Sequence, residues 1–116
     1  MVKFYVPDRG DVVDINFDPQ EGREQAGRRP ALVLSPASYN ARVGLALFCP
    51  ITNQTKNYIY EVAIPPGEKV TGVVLSDQVK SLDWRKRNAK RRGSVPDDIV
   101  ADVLAKLGTL LESSED

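Results

Sequence analysis

The sequence predicts a mainly β fold, in which a small, strongly curved sheet or partly open barrel carries one C-terminal helix packed against it. Two observations support this prediction. Short apolar runs with strand-like alternation follow one another through most of the chain, separated by turn signals. Near the C-terminus the period changes, and apolar residues from Ile99 to Leu111 recur at helical spacing. A length of 116 residues predicts a single domain spanning residues 1–116.

The individual elements follow from these patterns. Strands are predicted at 11–17, 31–35, 44–52, 58–64, 71–76 and 78–82. Pro50 indicates an edge position or a bulge in the third of them, because proline cannot donate to a ladder. Residues 39–43 are irregular, with a helical turn as one interpretation. The helix is expected at about 96–112, with Asp97 and Asp98 in its first turn, and residues 113–116 as a frayed tail.

The composition excludes several kinds of site. The chain has no histidine, which removes imidazole catalysis, the Ser-His and Cys-His nucleophile pairs and the common zinc sites. Cys49 lies in an apolar stretch and is expected to be a buried packing residue. One cysteine, no signal sequence and no apolar run of membrane-spanning length predict a cytosolic protein that does not enter the membrane.

Charge is distributed unevenly. The formal net charge is zero, yet residues 80–92 contain seven basic residues and one acid. This segment therefore forms a local positive patch that suits a polyanion such as nucleic acid or an acidic protein tail.

The segment Gly22–Pro30 displays further charge. It sets Glu24, Gln25, Arg28 and Arg29 between glycines and a proline, just ahead of an apolar run. Such a composition predicts a loop beside a rigid scaffold, where sites for anionic ligands are common. We expect this loop to converge with the end of the third strand and with residues 76–81.

At this point the sequence resembles a known family, the MazF/PemK toxins of toxin–antitoxin pairs, which cleave single-stranded RNA. The matching segments are Arg9–Asp11, Gly22–Pro30, Leu34–Pro36 with Tyr39-Asn40, Pro50–Thr52 and Gly72–Ser81. The resemblance implies an SH3-like or plasmid-toxin-type barrel that forms a homodimer. It also implies cleavage by attack of the substrate's own 2′-hydroxyl, with neither metal ion nor cofactor, and neutralisation by a MazE-like antitoxin with an acidic, disordered tail.

The same resemblance assigns the catalytic residues. The family's arginine falls on Arg29, with acid–base work, and its threonine falls on Thr52, which supports the reacting phosphate. Physically, a guanidinium suits phosphate oxygens better than it serves as a base. Glu24 either accepts the 2′-hydroxyl proton or orients Arg29, and both interpretations stay open.

Further residues are predicted to bind RNA. Asp77 acts as the base in one branch of the family, but that branch has an arginine where this chain has Leu75, so Asp77 is assigned to substrate contact or structure. Trp84 is expected in the core or a dimer interface, with base stacking as the alternative. The predicted RNA-binding set is Gln25, Arg28, Asp77, Gln78, Ser81, Arg85, Lys86 and Arg87.

Three other functions fit parts of the sequence. A non-catalytic toxin of the same fold would bind a protein target such as gyrase, but would not need Arg29 and Thr52. A metal-dependent nuclease would require its carboxylates to cluster. An SH3-like adaptor would need more aromatic residues to bind proline-rich peptides.

Overall fold

Antiparallel strands dominate the computed structural model, which describes residues 4–18, 22, 25 and 27–112. Within these residues there are seven strands and two helices. In chain order they are β1 (Asp11–Asn16), β2 (Arg28–Val33), α1 (Ala37–Val43), β3 (Leu45–Thr52), β4 (Glu61–Ala63), β5 (Val73–Leu75), β6 (Lys80–Asp83), β7 (Lys90–Ser94) and α2 (Asp97–Leu111). The predicted mainly β fold with a C-terminal helix is confirmed.

Strand β3 is the centre of the sheet. The strands follow the order β4-β5-β3-β2-β1-β7, and β6 pairs with β3 outside this path. Residues 45–48 of β3 pair with β6, residues 48–50 pair with β2, and residues 51–52 pair with β5. Strand β3 therefore pairs with three strands in turn, and on one of its sides the partner changes from β6 to β5 along its length.

The two faces of the sheet cover two apolar clusters, as strand alternation requires. One face presents Val12, Leu32 and Ile51 to a cluster that includes Val100 and Val103 of α2. The other face presents Val13, Ala31 and Phe48 to a cluster that includes Trp84. Neighbouring residues such as Val12 and Val13, Ala31 and Leu32, or Phe48 and Cys49 thus point to two buried sides, which explains the continuous apolar runs in the middle of these strands.

Helix α2 ends the described chain. It spans Asp97–Leu111, within one residue of the predicted bounds at each end, with Asp97 and Asp98 in its first turn. The predicted tail at 113–116 lies outside the described residues. Among the residues that the structure describes, no helix is long and apolar enough to cross a membrane.

Strand β2 differs from the expectation, because it begins at Arg28, so that Arg28 and Arg29 belong to the strand and not to the loop before it. Strand β3 as a whole has partners on both sides, so it is not an edge strand. At Pro50, however, the pairing is to Ala31 of β2 on one side, and on the other side Pro50 lies between the residues paired with β6 and those paired with β5. The interruption expected at this proline is therefore present, and the missing N–H leaves no gap in either of those two ladders.

Strand β7 was not predicted at all. Its sequence, Lys90–Ser94, carries three basic residues and no apolar alternation, and only Gly93 is buried. The strand forms because β1 offers its edge and two acids: Arg91 Nε lies 3.5 Å from Asp11 Oδ1, and Arg92 Nη1 lies 3.2 Å from Asp14 Oδ1. Opposite charges on neighbouring strands support pairing without an apolar face.

Candidate active site

Strands β2 and β3 carry the two residues assigned to catalysis. Their antiparallel register pairs Ala31 with Pro50. The β2–β3 register ends at this pair: Thr52, two residues past Pro50, pairs with Val73 of β5, and Arg29 lies two residues before Ala31 on β2. Arg29 is half-buried and also faces Ile15 of β1 in the sheet register. A residue near the start of one strand and a residue at the end of its neighbour therefore occupy the same end of the sheet.

Thr52 lines a cleft of about 310 Å³ at this end. The threonine is buried, with 9% of its surface exposed, and its Oγ1 accepts a hydrogen bond from the Gln54 amide at 3.1 Å. Because that lone pair is occupied, the hydroxyl proton is directed elsewhere and can be donated to a ligand. The residues that line the cleft are Gln25, Thr52, Gln54, Lys56, Tyr58, Glu61, Leu75, Asp77 and Gln78, and Arg29 is not among them.

Tyr58 and Asp77 face each other across the cleft. The Tyr58 hydroxyl donates to Asp77 Oδ1 at 2.7 Å. Partial burial, this hydrogen bond and the charges of Asp77 and Glu61 raise the pKa of Tyr58 to about 12. Tyr58 is therefore a protonated hydrogen-bond donor at neutral pH, and one oxygen of Asp77 is already occupied.

The loop between β1 and β2 reaches the cleft through Gln25. The Gln25 amide donates to Gln78 Oε1 at 3.3 Å, which joins this loop to the turn after β5. The structure therefore brings two of the predicted segments together at the end of β3, as expected. Glu24, the proposed partner of Arg29, lies outside the described residues.

A family model described as "PemK-like, MazF-like toxin of type II toxin-antitoxin system" matches residues 8–111. The chain belongs to this family. It is 47% identical to the endoribonuclease toxin MazF of Escherichia coli K12 over 111 residues, which cover 96% of this chain and 99% of that protein. It is 35% identical to the Escherichia coli endoribonuclease PemK over 108 residues, which cover 90% of this chain and 81% of that protein.

Solved structures agree with this membership. MazF from Deinococcus radiodurans superimposes with a TM-score of 0.90 at 54% identity, covering 93% of this chain and 98% of that one. A MazE–MazF structure from the same organism gives a TM-score of 0.85 at 53% identity, covering 96% of this chain and 100% of that one. The predicted family and barrel-type fold are thereby confirmed.

The basic turn of this MazF-family chain, residues 84–89 between β6 and β7, is supported by arginines that were predicted to bind RNA. Arg28 donates to the carbonyl oxygens of Asn88 at 2.8 Å and of Arg87 at 3.5 Å. Arg87 donates to the carbonyl oxygens of Asn16 at 3.0 Å and of Asp18 at 2.7 Å. Both side chains therefore tie the basic turn to the ends of β1 and β2, in addition to any contact with a substrate.

Arg85 and Lys86 are the exposed cations of the basic turn. The guanidinium of Arg85 lies 4.9 Å from the Trp84 ring and 6.0 Å from the Phe4 ring. Trp84 itself is only 3% exposed, and its Nε1 donates to the Asn40 carbonyl at 3.1 Å. Trp84 is thus a core residue of this chain, with Arg85 stacked over it.

The remaining predicted residues are separate from the cleft. Ser81 is exposed on β6, where it pairs with Leu47, and it is not a lining residue. Within the described ranges, no three Asp, Glu or Cys side chains gather closely enough to hold a metal ion. The acids that a metal-dependent nuclease could use include Asp11, Asp14, Asp18 and Asp77, which form no such cluster, and Glu24, which lies outside these ranges.

Five of the lining residues were not among the predicted site residues: Gln54, Lys56, Tyr58, Glu61 and Leu75. Tyr58 was assigned to a strand by its alternation, whereas the strand begins only at Glu61. The polar run that follows Thr52 gave a signal for a loop, but nothing in it indicated that the loop folds back over the end of β3.

Proposed function

We propose that this MazF-family endoribonuclease cleaves single-stranded RNA or mRNA at short sequence motifs, by attack of the 2′-hydroxyl on the adjacent phosphorus and without a metal ion. The observation that supports the proposal is the cleft at the end of β3, which Thr52 lines, with Arg29 near the start of the neighbouring strand β2. The endoribonuclease names of the relatives support the substrate class.

The reaction needs three groups. As the 2′-oxygen bonds to phosphorus, the bond from phosphorus to the 5′-oxygen breaks, leaving a 2′,3′-cyclic phosphate (or, after hydrolysis, a 3′-phosphate) and a 5′-hydroxyl end. The proton of the 2′-hydroxyl passes to the Glu24 carboxylate, with solvent water giving a proton to the departing 5′-oxygen, or it passes to Arg29 once that guanidinium has given its own proton to the 5′-oxygen. Arg29 and the Thr52 hydroxyl donate hydrogen bonds to the phosphate oxygens as negative charge develops on them.

Base recognition is assigned to the other side of the cleft. Gln25, Asp77 and Gln78 offer amide and carboxylate groups to unstacked bases, where sequence-specific recognition of RNA takes place. The exposed Arg85 and Lys86 are assigned to the flanking backbone, together with Arg87 and Ser81, which are close in sequence, and Arg28, which is hydrogen-bonded to the same turn.

The proposal includes a partner and a cellular role. The MazE–MazF complexes of Deinococcus radiodurans support a MazE-like antitoxin for this chain. We assign its acidic, disordered tail to the positive segment at 80–92, in competition with RNA. The enzyme is proposed to act as a homodimer in the cytoplasm and to inhibit translation and growth until the antitoxin binds.

The deciding experiment uses a long single-stranded RNA in excess EDTA. Wild type is expected to cut it and to leave 5′-hydroxyl ends, while Arg29→Ala, Arg29→Lys and Thr52→Ala each lose on the order of 10²–10³ in rate. Arg29→Lys tests whether the paired N–H donors of the guanidinium matter, because lysine keeps the positive charge but cannot donate two parallel hydrogen bonds. Arg42→Ala on α1 and Thr109→Ala on α2 are matched controls that should cleave normally.

Two outcomes would reject the mechanism. One is a requirement for Mg²⁺, and the other is undiminished cleavage by all three site variants. If no RNA is cut and a protein target such as gyrase is captured instead, the non-catalytic alternative is correct.

A further inference from the structure

The loop of residues 53–60, between β3 and β4, forms one side of the cleft. Three of its residues, Gln54, Lys56 and Tyr58, line the cleft beside Thr52. Every residue from 53 to 59 is exposed. An exposed loop of this length loses conformational entropy when it is ordered by a ligand, so affinity depends on how well it is ordered beforehand.

One carboxylate orders the centre of this loop. Glu61 accepts hydrogen bonds from Thr55 Oγ1 at 2.5 Å, from the Lys56 amide at 2.8 Å and from the Asn57 amide at 3.0 Å. Asn57 has a positive φ of 56°, and this left-handed turn directs two successive N–H groups at the same anion. These hydrogen bonds lower the pKa of Glu61, which is therefore a carboxylate at neutral pH.

The ends of the loop have other supports. The Tyr58 hydroxyl is bound to Asp77, and Lys106 Nζ of α2 donates to the Ile59 carbonyl at 2.7 Å. Asn53 Oδ1 accepts a hydrogen bond from Thr71 at 3.1 Å. None of these contacts reaches Lys56. Glu61 accepts the hydrogen bond of the Lys56 amide itself, while the Asn57 amide is shared between Glu61 and Thr55 Oγ1, so Glu61 is the main anchor of the backbone that carries Lys56 to the cleft.

Glu61 is poorly suited to contact RNA itself. Its oxygens already accept hydrogen bonds from the loop, and its negative charge repels phosphate. Lys56 is suited to that contact, because within the described part of the chain no ion pair engages its ammonium group. The Glu61 carboxylate thus holds the loop from within, while the Lys56 ammonium group is available to bind a phosphate of RNA.

We propose that Glu61 is a positioning residue for RNA binding, which holds the loop so that Lys56 binds a backbone phosphate next to the one beside Thr52. The inference rests on the proposed function, since it names a further contact of the same RNA. It distinguishes Glu61 from the catalytic residues: loss of Glu61 weakens binding and leaves the chemical step in place.

The first test compares Glu61→Gln with Glu68→Gln, a matched change outside the cleft lining. Binding of a 2′-O-methyl RNA, which cannot be cleaved, is measured by fluorescence anisotropy. Glu61→Gln is expected to bind about tenfold more weakly, since it loses hydrogen bonds to a charged acceptor, and Glu68→Gln is expected to bind as wild type does. On cleavable RNA, Glu61→Gln should raise KM and leave kcat within about twofold.

The second test asks whether the effect passes through Lys56. Lys56→Ala should weaken binding in the wild type but add little to Glu61→Gln, which a double-mutant cycle measures. Hydrogen exchange at the Lys56 and Asn57 amides should accelerate in Glu61→Gln. If that variant fails to fold, Thr55→Val, which removes one donor to the carboxylate, should show the same effects at smaller size.

The outcomes separate this inference from the proposed function. If Glu61→Gln binds RNA as tightly as Glu68→Gln, or if the losses from Glu61→Gln and Lys56→Ala simply add, the inference is wrong while cleavage by wild type stands. If wild type cuts no RNA but binds the 2′-O-methyl strand through Glu61 and Lys56, the inference holds and the proposed reaction is wrong.

Discussion

Arg29 and Thr52 show what sequence reasoning can achieve for single residues. Both were assigned through the resemblance to a family, and they lie at the same end of the sheet, Arg29 near the start of β2 and Thr52 at the end of β3. The hydrogen bond from the Gln54 amide to Thr52 was not predictable, because it depends on the turn that the chain makes after β3. The catalytic roles of these residues stay predictions drawn from the family resemblance, and the hydrogen-bond partner of Thr52 could not be read from the sequence.

Cys49 leads to a prediction about pH. Burial, with a smaller effect of the negative Asp77, raises the pKa of its thiol to about 12 from an ordinary value of 9.0. The folded protein therefore keeps this proton at pH values where the unfolded chain has lost it. The stabilising effect is complete below pH 9 and is lost as the pH rises from 9 towards 12.

The measurement is urea unfolding at pH 8 and at pH 10. The free energy of unfolding should fall between the two, and Cys49→Ala should reduce the fall, with the remainder attributed to Tyr5 and Tyr58, whose pKa values burial raises in the same direction. At pH 8 a thiol reagent should label the native protein far more slowly than the urea-unfolded chain. Equal labelling rates in the two states would contradict the burial of Cys49.

Among the elements, β7 explains why the sequence predicted six strands and the structure has seven in its described part. A strand is recognised in a sequence by its alternating apolar residues. Strand β7 has none, because it lies at the edge of the sheet and its side chains are mostly basic and exposed. Its stability comes from Asp11 and Asp14 of β1, which are distant in sequence. Strands β1 and β3 and helix α2 were predictable because each buries its own apolar residues.

Gly72, just before β5, gives the prediction for an element. Its φ is +117°, and a Cβ there would stand 2.9 Å from the Thr52 carbonyl carbon and closer still to its oxygen. Gly72→Ala should destabilise the protein by at least about 2 kcal/mol, because it combines an unfavourable backbone conformation with a clash. Chemical denaturation measures the loss, and cleavage activity should fall as well, since the clash displaces the strand end that carries Thr52.

The control for this substitution is Gly108→Ala in α2. A Cβ at Gly108 meets no atom within 4 Å, so alanine should stabilise the helix by roughly 0.5–1 kcal/mol. If Gly72→Ala were as stable as wild type, the close approach of β5 to the end of β3 would be wrong.

For the whole molecule, the net charge is zero, but the positive charges are concentrated in residues 80–92. The positive segment at 80–92 is partly neutralised within the fold, because Arg91 and Arg92 pair with acids of β1. Arg85 and Lys86 stay exposed on the basic turn. The sequence shows that basic residues are concentrated here. It does not show which of them form ion pairs within the sheet, because that depends on the acids that the fold brings beside them.

RNA affinity should therefore fall as salt increases, and the steepness should reflect how many phosphates the basic turn binds. The double variant Arg85→Ala/Lys86→Ala is expected to reduce the slope of log K against log salt by about 0.7 for each phosphate that the variant no longer binds. Titrations of 2′-O-methyl RNA between low and physiological salt measure it. An unchanged slope would mean that RNA does not cross the basic turn.

The stacking of Arg85 on Trp84 has a practical consequence. The chain contains a single indole, so its intrinsic fluorescence comes from one place, between a buried cluster and the outer surface. Any ligand that draws the guanidinium away alters the surroundings of that chromophore, while the hydrogen bond to Asn40 keeps the ring itself in position. Emission of the unlabelled protein can thus report occupancy by RNA or by an acidic protein segment in real time.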